Sequence, residues 1–351
     1  MKNRSTLILF LCLHAACCIA QDWKPFSTFD FGITAGSTGV GVDVAMPVFR
    51  NVQVRTGVTF VPKFYKTMNF GVEVGMTDDA QTKQYYMDNI RQFMHEFISY
   101  DMKDNVDMRG EPTFNNAKLL IDVFPFRNKH WHITAGIYVG GRTIAKAKNR
   151  QEEISTLMGV NMYNELYKKA AAKEPMFTAG GTEVEIPNHF RSAMLEYYGE
   201  MAIHLGDFDH DVVATEDIYW DYDYYDPNTN QLVHAKGDLR CAKGDVLYHE
   251  GDAYRMKPTA QNEVTAKAKV DVIRPYVGFG YNGALGKNGN TYIGFDMGIM
   301  MWGGNPSVIT HDGIDLVKDL RNVRGKVGDY VKLIKKVDAY PVIELRISQR
   351  F

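Results

Sequence analysis

The sequence predicts an all-β protein, an eight-stranded antiparallel up-and-down transmembrane β-barrel with long, partly helical extracellular insertions. Three observations lead there. The chain opens with an export-type segment, and no apolar run after Ala20 is long enough for a membrane helix. Its end, Tyr340 to Phe351 (YPVIELRISQRF), sets Ile343, Leu345, Ile347 and Phe351 on one flank of a strand. Glu344, Arg346, Ser348 and Arg350 fall on the other flank. A ribbon that is apolar outside and ionisable inside can meet lipid only as part of a closed barrel, because open edges leave backbone groups unpaired in hydrocarbon.

Residues 1–20 carry Lys2 and Arg4, an apolar run from Leu7 to Ile19, and Ala20 before Gln21. This is the layout of a cleaved secretory signal. Cys17 and Cys18 invite a lipoprotein reading, but His14 stands where such a box prefers leucine. Cleavage after Ala20 would remove Cys12, Cys17 and Cys18, leaving Cys241 alone and no intrachain disulfide. A formal net charge of -2 argues against a nucleic-acid partner.

The barrel occupies residues 21–351 in this reading. Phe29, Phe31, Ile33 and Ala35 alternate with Asp30, Gly32 and Thr34, and the phase flips after Gly36–Gly39. Strands are therefore expected at about 28–36 and 39–47, with one long bulged strand as the competing reading. Val52, Val54, Thr56, Val58 and Phe60 mark a third at 52–62. The insertion 63–112 carries Tyr86, Ile90, Phe93 and Phe97 at helical spacing, predicting a helix from Asp79 to Tyr100. Alternation returns at 115–125 and 131–141. In the insertion 143–266, Glu152 to Lys173 reads as a helix stopped by Pro175, and Glu216 to Asp226 (EDIYWDYDYYD) as an acidic aromatic loop. Strands at 269–282 and 291–302 follow. In the insertion 303–338, Ile314, Val317, Leu320, Val323, Val327 and Val331 suggest one interrupted helix. The closing strand is 339–351.

Parity supports eight. With both termini in the periplasm, links after the second, fourth and sixth strands should be short. Val48–Asn51, Phe126–His130 and Gly283–Asn290 are short, whereas the insertions follow strands three, five and seven. Counting 28–47 as one strand would put the insertions on the wrong side.

Several of these stretches resemble a family of small bacterial outer-membrane β-barrel proteins of unassigned function. They are FGITAGSTGVGVDVAMPV, KLLIDVFPF followed by WHITAGIYVGG, RPYVGFGYN with YIGFDMGIMMWGGNPSV, and AYPVIELRISQRF. The resemblance covers about a third of the chain, in the strands. It implies the outer membrane of a Gram-negative bacterium, and no catalytic residues. Phe351 resembles the terminal assembly signal of such barrels, although Gln349 interrupts the apolar series.

Inward positions include Asp30, Asp43, Arg55, Lys118, Asp122, Asp296, Glu344, Arg346 and Arg350. A barrel of eight strands is filled by its side chains. Buried charges need partners, so this mixed set reads as a self-neutralising plug in preference to a selective channel. Inward glycines at 41, 57, 136, 278, 280, 294 and 298 leave room for the larger groups. His132 and Tyr138 also point inward, without a recognisable nucleophile. Glu216, Asp217, Asp221, Asp223 and Asp226 lack the glycine and glutamate of a calcium loop, which favours a solvated acidic segment. Trp220 and the neighbouring tyrosines suit a contact surface. Trp131, Tyr281, Trp302, Tyr340 and Phe351 sit near strand ends, where interfacial aromatics are favoured. The expected role is structural or surface-interacting and non-enzymatic, with no cofactor. The alternative is a narrow porin-like channel, and a membrane enzyme ranks third. Expected partners are outer-membrane lipid, the barrel-assembly machinery and an extracellular partner bound through 143–266.

Overall fold

A computed structural model of the chain describes residues 26–75, 79–285, 289–336 and 339–351. The expected signal at 1–20 and part of the turn Gly283–Asn290 lie outside them. Eight strands close an antiparallel barrel: β1 (Asp30–Gly36), β2 (Gly39–Phe49), β3 (Val52–Phe60), β4 (Asn116–Val123), β5 (Trp131–Gly140), β6 (Ile273–Leu285), β7 (Thr291–Met301) and β8 (Ala339–Arg350). Each pairs with its neighbour in sequence, and β8 returns to β1 with Ile33 opposite Ile347. The outer flank is apolar and open, with Ile33 63%, Leu345 58% and Ile133 56% exposed. Two separate strands, not one bulged strand, occupy 30–49. They meet at Ser37 and Thr38, and Gly39 takes φ +101° with no room for a Cβ beneath the Phe60 carbonyl.

The insertions are partly helical, and they also hold a sheet that the alternation did not reveal. Strands Lys66–Glu73, Asn105–Pro112, Thr143–Asn149, Ala202–Phe208, Ala253–Met256, Thr265–Lys269, Ser307–Thr310 and Leu320–Arg321 join one eight-stranded sheet above the barrel. Within it, Lys66–Glu73, Asn105–Pro112, Thr143–Asn149, Thr265–Lys269 and Ser307–Thr310 lie side by side in that order. They adjoin β3, β4, β5, β6 and β7 in the chain, so five staves of the barrel continue upward in unchanged order. This explains why β6 begins at Ile273 and not 269: Lys269 belongs to the upper sheet.

Helix α1 (Ala80–Ile98) starts where Asp79 accepts from the Thr82 amide at 2.7 Å and ends at left-handed Ser99. Helix α2 (Ile154–Ala172) ends at left-handed Lys173. Helices α3 (Asn188–Ala193) and α4 (Gly325–Lys336) complete the layer. The interrupted helix expected over 305–337 is thus helical only from Gly325. Ser307–Thr310 is a strand, because Thr265–Lys269 offers it a ladder. Ile90, Phe93 and Met94 of α1 and Leu157, Val160 and Tyr163 of α2 pack with Phe70, Val106, Ile203 and Leu205 into one core. At about 2 kcal/mol per fully buried large apolar side chain, this core gives the layer stability of its own.

Glu216–Asp226 is not a loop. It is one side of an arm built from three two-stranded steps: Val212–Val213 with Val246–Tyr248, Ile218–Tyr219 with Leu239–Cys241, and Tyr224–Tyr225 with Leu232–His234. The return side repeats a turn in which Gly237, Gly244 and Gly251 have φ of 92°, 93° and 92°. Each is followed by aspartate. Opposite them Asp223, Asp217 and Asp211 accept the amides of Lys236, Lys243 and Glu250 at 2.6, 2.8 and 2.8 Å. Seven residues per turn face six across the ladder, and a bulge in every step absorbs the difference.

Candidate functional site: the barrel lumen

Strand alternation turns every second residue of β1–β8 into the lumen, where the predicted ionisable set converges. Arg55 of β3 holds both oxygens of Asp296 at 2.8 Å and one of Asp122 at 3.1 Å. Asp122 also accepts from Gln53 at 3.1 Å and Thr134 at 2.7 Å. Lys118 lies 2.6 Å from Glu344 and 3.2 Å from Asp43. Arg346 donates to Asp43 at 2.7 Å and to Ser348 at 2.9 Å. Arg350, half-buried near the short-turn end, grips Asp30 at 2.7 and 2.8 Å and stands over the Tyr292 ring. Glycines make the space: the His132 ring lies against Gly280, Asp43 against Gly57, and Tyr276 across Gly278 and Gly298.

Arg274 is an inward base that the sequence reading missed. It is fully buried, donates to Asn116 and, at 2.5 Å, to the Gly141 carbonyl, and lies 5.1 Å from the Phe114 ring centre. Its parity with Tyr276 was the available signal, obscured by Pro275. With it, the described lumen holds five acids (Asp30, Asp43, Asp122, Asp296, Glu344) and five bases (Arg55, Lys118, Arg274, Arg346, Arg350).

At the layer end an apolar cluster of Leu120, Tyr138, Tyr276, Met300, Val342, Phe114 and Trp302 stoppers the barrel, with Lys118 and Arg274 set among its side chains. Trp302 and Tyr340 therefore do not face outward as interfacial aromatics. They pack edge-on or tilted around Phe114, because Tyr340 shares the inward parity of Val342 and Glu344, and Trp302 that of Asp296 and Met300. Trp131 and Tyr281 do lie outside, 5.1 Å apart, and Phe351 stacks on Phe29 at 5.3 Å. Among the charges nearest the short turns, a cavity of about 380 Å³ opens, lined by Asp30, Gln53, Phe124, His130, Arg346 and Arg350 among others.

His132 turns its Nε2 to Asp296 at 3.0 Å, while Tyr138 sits in the stopper against Tyr276. The two do not form a pair. In the arm, Asp217, Asp223 and Asp226 are occupied by backbone amides, and Asp221 by Lys168. Among the described residues no group of three or more His, Cys, Asp or Glu could hold a metal ion. Trp220 is half-buried and stacks on His234 at 3.7 Å, so it braces the arm and is not a free contact face.

No protein-family model matches the chain, and no curated protein matches it. Among solved structures it is similar to CarO2 of Acinetobacter baumannii, at 11% identity and a TM-score of 0.37, over 94% of this chain and 100% of that one. CarO of the same organism has 12% identity and a TM-score of 0.34, over 95% and 100%. Likeness at that level carries no function, and the barrel rests on its own strand pairing.

Proposed function

We propose that this chain is an outer-membrane protein whose barrel is a closed, non-enzymatic anchor. Its layer and arm form the working surface outside the cell. The balanced lumen carries this reading: nine of its ten ionic groups close ion pairs, Arg274 is held by Asn116 and the carbonyls of Gly141 and Asp271, and an apolar cluster fills the layer end. The exposed apolar flank of β1–β8 suits acyl chains, and Phe351 at the seam with Phe29 suits recognition by the assembly machinery. Residues 143–266, which supply α2, α3 and the arm, are the segment that would meet a partner. His132 is buried beside Asp296, out of reach of a substrate outside the barrel, which argues against a base in catalysis.

The test is twofold. Purified protein should migrate differently on gels before and after heating, as folded barrels do. It should give no steady unit conductance in planar bilayers. Stable conductance steps would replace the anchor with the narrow pore.

A further inference from the structure

The layer sheet grows out of the barrel wall, and its two faces differ. Val270 belongs to the lumen stopper, and Ala268, Ala266 and Val264 carry the same parity into the layer core. The alternate positions Lys269 and Lys267 fall on the opposite face of the sheet. Across the ladder Lys267 is directly opposite Lys146, and one row away Lys148 is directly opposite Arg109. Like charges in register destabilise a sheet. These are interior strands, so protection of an edge does not account for the lysines. Lys146, Lys148, Lys267 and Arg109 are exposed. Lys148 pairs with Glu263, whereas Lys146, Lys267 and Lys269 close no ion pair among the described residues. Glu111, opposite Lys146, and Asp315, opposite Ile309 at the far end and taken up by the amides of Val308 and Val317, are the carboxylates in those two rows of described residues.

Height fixes what this face meets. Lys269 stands four residues from Ile273, at most about 13 Å of extended chain above the apolar band. That puts it at the outer margin of the lipid headgroups, which reach about 5–7 Å past the hydrocarbon. Arg109 stacks 4.3 Å over Tyr65, an exposed ring just beyond β3, as aromatics do at a membrane interface.

We propose that this basic wall binds the phosphate groups of lipid headgroups in the leaflet beneath the layer. The proposal rests on the membrane reading above. For the test, the full chain is folded in zwitterionic detergent micelles and mixed with lipid A or with its phosphate-free form. Co-eluting lipid is measured by mass spectrometry, and heat-modifiable migration is read on the same samples. Wild type should retain the phosphorylated lipid at least tenfold over the phosphate-free form. K146Q/K267Q/K269Q should lose that preference and keep the folded migration, whereas arm variant K236Q/K243Q should keep both. Lys146→Gln alone, which relieves the repulsion with Lys267 and so spares the fold, should show a smaller loss. No preference in wild type, or an unchanged preference in the triple variant, overturns the proposal. A wild-type chain without heat-modifiable migration overturns the membrane reading and this proposal together.

Discussion

Arg55 and Asp296, far apart in sequence, meet as a two-pronged pair with both contacts at 2.8 Å in the middle of the barrel. Fork-to-fork geometry of this kind fixes the two side chains relative to each other as well as attracting them. Removing the guanidinium would strand two buried carboxylates, Asp296 and Asp122. Arg55→Ala should therefore cost about 3–5 kcal/mol, read by urea unfolding of the detergent-folded barrel. A cost below that of an exposed ion pair would show that water reaches the lumen.

The facing glycines Gly278 and Gly298 leave a slot for the Tyr276 ring. Gly298→Val should overpack it and destabilise the barrel by about 1–3 kcal/mol. In a Tyr276→Ala background the cost should shrink. An equal cost in both backgrounds would place the strain in the backbone alone.

In the layer, His204, Lys83 and Arg324 surround Glu73, with Lys83 at 2.7 Å. His204 first, then Lys83, hold its carboxyl down from 4.5 to about 2. A depressed carboxylate stabilises the fold fully above its unfolded value and loses that contribution as pH falls through its folded value. Between pH 4.5 and 2 the wild-type layer should become progressively more sensitive to an acid protease. Glu73→Gln should start less stable at neutral pH and converge with wild type at the acid end. Parallel curves would deny the link.

The arm can be cut where its two sides touch. Ala214 exchanges backbone hydrogen bonds with Asp245 at 2.8 Å and Gly244 at 2.9 Å. Replacing residues 215–244 with a two-glycine link should leave heat-modifiable migration intact, since the arm meets α2 through surface contacts, Lys168 with Asp221 and Lys173 with Tyr225 and the Asn230 carbonyl, each worth at most about 1 kcal/mol. Loss of the folded band would make the arm part of the layer's core.

The barrel was legible because a period of two survives wherever one face meets a solvent unlike the other. Val52 to Phe60 and Ile343 to Ile347 display it without interruption. The upper sheet was not legible for the same reason. Its strands are short, and Thr143–Asn149 and Thr265–Lys269 alternate alanine with lysine, a weak contrast that reads as loop. The arm had a sequence signal of another kind, the AKGD turns at 235–238 and 242–245 followed by HEGD at 249–252. A search for a period of seven would have found it. In the lumen, each charge could be placed by parity, but which acid meets which base depends on strand register and tilt. The pairing of Arg55 with Asp296 across the barrel is of that kind.

The unchanged order of staves in wall and layer also ties their biogenesis together. Neighbours in the upper sheet come from three insertions that emerge at different times, and Ser307–Thr310 can dock on Thr265–Lys269 only after β7 has been threaded. Until then the rim of Thr265–Lys269 stays bare to the exterior. A chain stalled midway therefore advertises its own incompleteness as a naked β edge, open to pairing with another strand.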